Sequence, residues 1–300
     1  MLTYTEISRN KRESWLLIAV FLVIVIALGY VFSILYDNQA ILIFAVGFSF
    51  LSSWISYYFS DSITLALSRA RQVDRQNAQD LYRLVENLCI SAGLPTPKIY
   101  IIDDSAPNAF ATGRDPDHAV VCVTTGILQK LNKSELEGVL AHELSHIGNF
   151  DTRVMTLVVV LVGTVTLLSD LFLRGRLYGG RRSRDNDGMA ILVIAGFLLA
   201  ILSPIIATLI KLAISRQREY LADASGVLLT RYPEGLASAL EKISTDREPL
   251  EAANSATAHL YIASPFKADS IASEGNWLSN LFNTHPPIGE RIKRLRAMNL

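Results

Sequence analysis

The sequence predicts a mainly α-helical membrane protein that also carries a polar domain with a small β-sheet. Of its 300 residues, 50% are hydrophobic, which is more than a typical soluble protein contains. These residues are concentrated in long runs, and residues 15–35 and 39–59 form two runs of 21 residues without a charge. Short β-rich segments occur only in the polar block that follows residue 60, which places the sheet outside the membrane.

The first two apolar runs predict a tight transmembrane hairpin. A helix of this length, at a rise of about 1.5 Å per residue, crosses a bilayer core of about 30 Å. Only Tyr36, Asp37 and Asn38 separate the two runs. A cleaved signal peptide is the alternative for the first run. However, the run exceeds the usual apolar length of about 7–15 residues, and no small-residue cleavage site follows it.

Basic residues flank both ends of the hairpin: Arg9, Lys11 and Arg12 before it, and Arg69, Arg71 and Arg75 after it. The positive-inside rule therefore predicts that the N-terminus and everything after residue 60 are cytoplasmic.

Two further apolar runs interrupt the polar part of the chain. Residues 154–173 contain Asp170 near their end, and residues 188–210 contain Pro204. Both runs are long enough to span a membrane, and we expect a spanning hairpin. The alternative is a partly embedded hairpin, because its tip holds five arginines that the positive-inside rule would keep inside. These are Arg174, Arg176, Arg181, Arg182 and Arg184.

The two polar blocks contain the remaining predicted elements. A helix is expected over residues 73–92, then strands over 98–103, 108–112 and 119–124. Asn132 or Ser134, each with a Glu three residues later, can cap the next helix, which could run on through Arg153. Helices over 215–230 and 233–245 and from about 287 follow. We expect four regions: an N-terminal hairpin (1–59), the first part of a polar domain (60–153), a second apolar hairpin (154–211) and the rest of the domain (212–300).

Composition excludes two classes of protein. The net charge of zero gives no basic footprint for nucleic acid. The two cysteines, Cys89 and Cys122, are too few for a disulfide scaffold and have no spacing typical of metal ligands.

His142-Glu143-Leu144-Ser145-His146 is an HExxH motif within a predicted helix. Residues four apart share a helix face, so His142 and His146 can bind one metal ion, and Glu143 can reach a water beside it. This pattern is typical of zinc hydrolases. The alternative is an acidic helix with two incidental histidines, but the apolar neighbours Leu140, Ala141 and Ile147 argue against it.

A catalytic zinc requires a third protein ligand, and Glu219 is the best candidate. Glu219 and Asp223 are four residues apart, so one can bind the metal while the other accepts the free N–H of a ligating histidine. The alternative is a solvated charged face shared with Arg216 and Arg218.

The combination of HExxH and a later ExxxD resembles the HtpX family of membrane-integrated zinc metalloproteases and is similar to the related CAAX-prenyl endopeptidases. Two further stretches match that family: Asn108-Ala109-Phe110-Ala111-Thr112-Gly113, and Thr284-His285-Pro286-Pro287 followed by Arg291. The resemblance covers the whole chain, including the placement of the apolar runs.

This resemblance implies an α+β zincin domain of gluzincin type and one zinc ion per chain. His142, His146 and Glu219 would bind zinc, Glu143 would be the catalytic base, and Asp223 would orient a ligand. Residues 108–111 (Asn108, Ala109, Phe110 and Ala111) would form the edge strand that pairs with substrate, although Asn108 could simply make a turn after Pro107. His285 would stabilise the oxyanion or, alternatively, would cap the C-terminal helix.

The expected function is zinc-dependent cleavage of misfolded or membrane proteins at the cytoplasmic face of a bacterial-type inner membrane, as in protein quality control. The expected partners are polypeptide substrates and membrane lipids, with no nucleic acid. Two alternatives stay open: a prenyl-peptide-type processing protease, and a non-catalytic membrane scaffold stabilised by zinc. His118 and His259 are expected to be ordinary structural residues.

Overall fold

Two long helices open the chain and form the predicted hairpin. The computed structural model describes residues 2–35, 37–161, 163–164, 216–254, 257–265 and 286–298. Helix α1 spans Leu2–Leu35 and helix α2 spans Gln39–Leu67. Within them, Ile7–Val31 and Gln39–Leu67 are long and apolar enough to cross a membrane. At about 1.5 Å per residue, α1 exceeds a bilayer core by several turns, so its polar N-terminal end reaches beyond the membrane.

Small residues let these two helices approach closely. A Cβ atom added to Gly29 would lie only 2.2 Å from the Cβ of Ala45. The face of α2 buried against the protein is lined by hydroxyl-bearing side chains, among them Ser49, Ser53 and Ser56. Ser49 and Ser56 donate to backbone carbonyls of their own helix, which satisfies the hydroxyls without water.

The polar domain contains a four-stranded mixed sheet. Its strands are β1 (Arg71–Gln72), β2 (Lys98–Ile102), β3 (Ala109–Thr112) and β4 (Val120–Thr124). The spatial order is β1-β2-β4-β3, with β2 parallel to β4 and the other two pairs antiparallel. β3 therefore lies at one edge of the sheet, as the family resemblance implied for this segment.

Side chains alternate along each strand, so β3 and β4 direct residues to both faces of the sheet. Both faces are covered, since every residue of these two strands is buried. Ile99, Val121 and Ala111 belong to the core that the helices of the domain form on one face. On the other face, Phe110 and Cys122 belong to a second core. That core also contains Leu65 from the end of α2, together with Met155, Val159, Leu250, Leu260 and Tyr261.

The helices described in the domain are α3 (Gln79–Ala92), α4 (Thr125–Lys130), α5 (Lys133–Gly148), α6 (Arg216–Thr230), α7 (Pro233–Thr245) and α8 (Ile288–Arg296). Asn132 caps α5 through a reciprocal capping box: its side chain accepts from the N–H of Glu135, and Glu135 accepts from the N–H of Asn132. Most of α5 is buried, since α3, α6, α7 and the sheet surround it.

Two predicted helix boundaries differ from the structure. The helix expected from residue 73 begins at Gln79, because residues 71–73 join the sheet and the N–H of Val73 donates to Ile99. The helix that carries HExxH ends at Gly148 rather than continuing, and Phe150 adopts a φ of 61°. A new helical segment starts at residue 151 and contains the start of the third apolar run, which is buried up to Leu161. The remainder of the second hairpin lies outside the described residues.

Candidate active site

The HExxH motif lies on the buried face of α5, where helical spacing aligns its histidines. The Nε2 atoms of His142 and His146 are 3.2 Å apart, and both side chains are almost fully buried. Two buried imidazole nitrogens that point at one another need a shared partner, and a metal ion supplies one.

Helix α6 brings Glu219 to the same point. Its carboxylate oxygens lie 3.6 Å from Nε2 of His146 and 3.9 Å from Nε2 of His142. One ligand atom from each of the three residues falls within a cluster 4.8 Å across. The approach depends on Gly226, where an added Cβ would lie 3.0 Å from the backbone N of His142. A larger residue there would push α6 away from α5.

These three residues fit a tetrahedral zinc ion. At Zn–N distances of about 2.0–2.1 Å, two tetrahedral nitrogen ligands lie about 3.3 Å apart, close to the spacing of the two Nε2 atoms. Four carboxylates are buried around the cluster, on Glu143, Asp151, Glu219 and Asp223, together with the guanidiniums of Arg218 and Arg291. The carboxylates outnumber the guanidiniums, which favours a further cation among them.

Glu143 lies one position along α5 from the first histidine and is fully buried. Burial raises the pKa of its carboxyl to about 7, and the neighbouring Glu219 charge adds to that effect. The backbone N–H of Ala111, on the edge strand β3, favours the ionised form of the Glu143 carboxyl and partly offsets this rise in its pKa. A carboxyl with a pKa near neutrality can both accept and return a proton, which is what a general base that later acts as an acid must do.

His142 is oriented from the C-terminal half of the chain. Its Nδ1 lies 3.0 Å from Asp223, and Arg291 donates two hydrogen bonds of 2.7 and 2.9 Å to the two oxygens of that carboxylate. Burial alone would raise the pKa of Asp223, but the adjacent guanidinium lowers it to about 2. Arg291 also lies 3.3 Å from Glu219. The same arginine therefore contacts a candidate metal ligand, Glu219, and the Asp223 carboxylate that orients His142.

His146 is oriented from the other side of the site by Asp151. Its Nδ1 is 2.9 Å from Oδ2 of this residue, which is the first residue of the helical segment after α5. Burial lowers the pKa of His146, but the Asp151 hydrogen bond and the Glu219 charge raise it to a net value of about 9. A carboxylate behind an imidazole fixes its tautomer and makes the opposite nitrogen a stronger metal donor.

The edge strand β3 runs beside these groups. Ala111 faces Glu143, as described above, while the carbonyl of Ala109 accepts from the N–H of Ile262. Asn108 is buried, and its side chain donates to the carbonyl of Ala263 and accepts from the N–H of Ala109. The segment at Ile262 is held from its other side by Arg291, which donates to the Ile262 carbonyl. The segment at Ile262 therefore occupies the edge of β3 at its Ala109 end.

The structure brings together His142, Glu143, His146, Glu219 and Asp223, and it places Ala111 beside them. His285 lies outside the described residues. His118 is exposed and pairs with Asp115, and His259 is buried against the Met155 carbonyl. Neither belongs to the cluster, in agreement with the structural roles expected for them.

Sequence reasoning missed Asp151, Arg218 and the role of Arg291. Arg218 was weighed as part of a solvated charged face, but its side chain is buried and donates to Asn10. Arg291 was visible only as a residue that follows the His-Pro-Pro stretch. Asp151 follows the second histidine by five residues, a spacing that could have identified it as a partner for the imidazole.

The comparisons with known proteins identify the family of the chain. The model of peptidase family M48 matches residues 75–299. A protease HtpX homolog from Caldanaerobacter subterraneus subsp. tengcongensis is 46% identical over 299 residues, which cover 98% of this chain and 97% of the relative. A protease HtpX homolog from Dictyoglomus thermophilum is 47% identical over 296 residues, which cover 98% and 94%.

Among solved structures, the crystal structure of S. mikatae Ste24p is similar, with a TM-score of 0.48 and 19% identity. The match covers 89% of this chain and spans 61% of that protein. The family match and the full-length relatives lead to one assignment. This chain belongs to peptidase family M48 and, within it, to the HtpX proteins.

Proposed function

We propose that the protein is a membrane-integrated zinc endopeptidase that cleaves misfolded or membrane proteins at the cytoplasmic face of a bacterial inner membrane. The observation that carries this proposal is the buried cluster of His142, His146 and Glu219 with Glu143 beside it. A purely structural zinc site has no use for a buried carboxyl next to an incomplete set of ligands. A catalytic site requires both features.

The chemistry that zinc supplies when bound is polarisation of the scissile carbonyl and acidification of water. Glu143 takes the proton of the attacking water and later passes it to the leaving amine. Asp223 and Asp151 hold the two imidazoles in the tautomer that leaves Nε2 directed at the metal. Burial of all these groups excludes bulk water and strengthens their interactions.

The substrate would bind as an extended strand along β3. Pairing through the backbone accepts many sequences, which suits an enzyme that acts on misfolded chains. Because Ile262 already pairs with Ala109, a substrate strand would use the edge from Ala111 onward, beside Glu143. A proposed oxyanion contact from His285 would act on the same substrate carbonyl.

The cytoplasmic location is supported by the charge pattern around the first hairpin. In this arrangement residues 60–153 and 212–300 form one catalytic domain, and residues 1–59 and 154–211 are its membrane segments. Helix α2 ends at Leu67, and its Leu65 packs in the same core as Phe110 of β3, so the site lies close to the membrane surface.

The substitution Glu143→Gln tests the mechanism. The zinc-loaded, detergent-solubilised protein is incubated with an unfolded soluble protein and with a membrane protein, with and without a chelator. We expect wild type to cleave only when zinc is present. We expect Glu143→Gln to bind zinc and to lose about 10²–10⁴-fold in rate, because it has no group that can accept the proton.

Glu137→Gln is the matched control, since it makes the same change on α5 six residues before Glu143. It should cleave at the wild-type rate. Glu143→Gln with wild-type turnover would contradict the mechanism. A wild-type protein that binds zinc but shows no zinc-dependent cleavage would favour the scaffold alternative.

A further inference from the structure

A polar residue of the first membrane helix reaches the candidate metal site. Asn10 lies near the N-terminal end of α1, before the uncharged run that starts at Trp15, and its side chain is fully buried. A buried amide on a membrane helix is costly unless each of its polar atoms has a partner. Among the described residues, the partners of the Asn10 side chain all belong to the catalytic domain.

The amide of Asn10 makes three contacts with that domain. Its Nδ2 donates to Oδ1 of Asp151 at 2.7 Å and to the carbonyl of Asn149 at 2.8 Å. Its Oδ1 accepts from Arg218 at 3.1 Å. Arg218 also donates to Glu13, one turn along α1, at 3.1 Å. The contacts with Asn149 and Asp151 fall on the break between α5 and the next helical segment.

Asp151 divides its two oxygens between the membrane helix and the metal site. Oδ1 accepts from Asn10, and Oδ2 lies 2.9 Å from Nδ1 of His146. The chain of contacts therefore runs from α1 through Asp151 to a candidate metal ligand. A carboxylate that is fixed at one oxygen can present the other in a single orientation, and this in turn fixes the imidazole ring.

We propose that Asn10 is a positioning residue for the metal site: by holding Asp151, it sets the orientation of His146 and makes metal affinity depend on docking of α1. This inference rests on the proposed function, because it assumes that the cluster of His142, His146 and Glu219 binds zinc. It assigns to the first membrane helix a task beyond anchoring.

A double-mutant cycle on the full-length protein tests the proposal, with zinc affinity measured by competition with a chromogenic chelator. We expect Asp151→Ala to weaken zinc binding about 10–100-fold and Asn10→Ala to weaken it about 5–10-fold. In the Asp151→Ala background, adding Asn10→Ala should change zinc affinity by less than about twofold, because the carboxylate through which Asn10 acts on His146 is already removed.

Ser14→Ala is the matched control. Ser14 is buried on the same helix one turn on, and its hydroxyl donates only to the carbonyl of Asn10. This variant should bind zinc as wild type does. Circular dichroism and thermal unfolding of the metal-free proteins report whether the variants fold alike. If Asn10→Ala folds poorly, Asn10→Ser takes its place in the cycle.

Two results would overturn the proposal: unchanged zinc affinity in a folded Asn10 variant, or an equal loss in the presence and absence of the Asp151 carboxylate. The second result would mean that Asn10 only docks the helix. A wild-type protein that binds no zinc would contradict the proposed metal site itself and is distinguished by its own titration.

Discussion

The two histidines of the HExxH motif are held in different ways. Asp223 orients His142 and is clamped by two hydrogen bonds from Arg291, at 2.7 and 2.9 Å. Asp151 orients His146 and is held by the neutral amide of Asn10 at 2.7 Å, while Nε of Arg218 lies 4.0 Å away. The first support comes from the C-terminal half of the chain and the second from the membrane helix α1.

The two supports are expected to affect different properties: the first the stability of the folded domain, and the second its affinity for metal. The Arg291–Asp223 pair is a fully buried ion pair, so removal of either partner leaves a charge without compensation in the interior. Loss of Asn10 removes one hydrogen bond to the Asp151 carboxylate and leaves Arg218 near that carboxylate. We therefore expect the C-terminal support to determine whether the domain folds, and the N-terminal support to determine how tightly a folded domain binds metal.

The largest effect is expected from Arg291→Met. This change keeps the volume of the side chain but leaves Asp223 as an unpaired buried carboxylate, at a cost of about 3–5 kcal/mol. The Tm of the detergent-solubilised protein, measured by differential scanning fluorimetry, should fall by roughly 10 °C. A Tm within about 2 °C of wild type would remove the stability role assigned to this pair.

A smaller effect is expected from truncation of the two orienting carboxylates. Asp223→Ala and Asp151→Ala should each weaken zinc binding about 10–100-fold in chelator competition. The two variants should differ, however, in thermal stability. Asp223→Ala also leaves the buried Arg291 charge without its bidentate partner, so it should lower the Tm more than Asp151→Ala. The reverse order would break the contrast between the two supports.

The smallest effect is expected from Arg296→Gln. Arg296 is on α8 with Arg291, but it is exposed and pairs with Glu234 and Glu241 on the surface. Exposed pairs contribute little, so the Tm should change by about 1–2 °C. The variant is also the matched control for Arg291→Met, since it removes a charge from the same helix.

The Tm difference between wild type and Arg296→Gln should decrease on acidification. The hydrogen bond from Arg296 lowers the pKa of Glu234 below its usual value. The stabilisation is therefore fully present above the unfolded pKa of about 4.3 and is lost as the pH falls through the lowered folded pKa. The Tm difference between wild type and Arg296→Gln should be present at pH 7 and should shrink as the pH falls below the unfolded pKa of about 4.3. A difference that grows on acidification would contradict this assignment.

Local patterns were sufficient to predict much of the fold and site. The HExxH helix and its capping box follow from the spacing of residues within one helix. The same holds for the shared helix face of Glu219 and Asp223 and for the two long apolar helices. The strand at β3 was also predicted, and its place at the edge of the sheet was expected from the family resemblance.

The missed residues depend on packing between distant parts of the chain. Asn10 is 141 residues from Asp151, and Arg291 is 68 residues from Asp223. Arg218 neighbours Arg216 in a stretch that looks solvated, but it is buried and contacts Asn10 of α1. The start of α3 was misplaced for a related reason, because the N–H of Val73 pairs with Ile99 of the sheet instead of starting the helix.

The second face of the sheet has a practical consequence for work on this protein. Phe110 and Cys122 pack there against Leu65 of α2 and against Met155 and Val159. A fragment that lacked the membrane helices would expose this apolar surface to water and would be prone to aggregate. A soluble version of the peptidase domain would have to be redesigned on that face, with polar residues in place of those that now contact α2 and the helical segment that starts at residue 151.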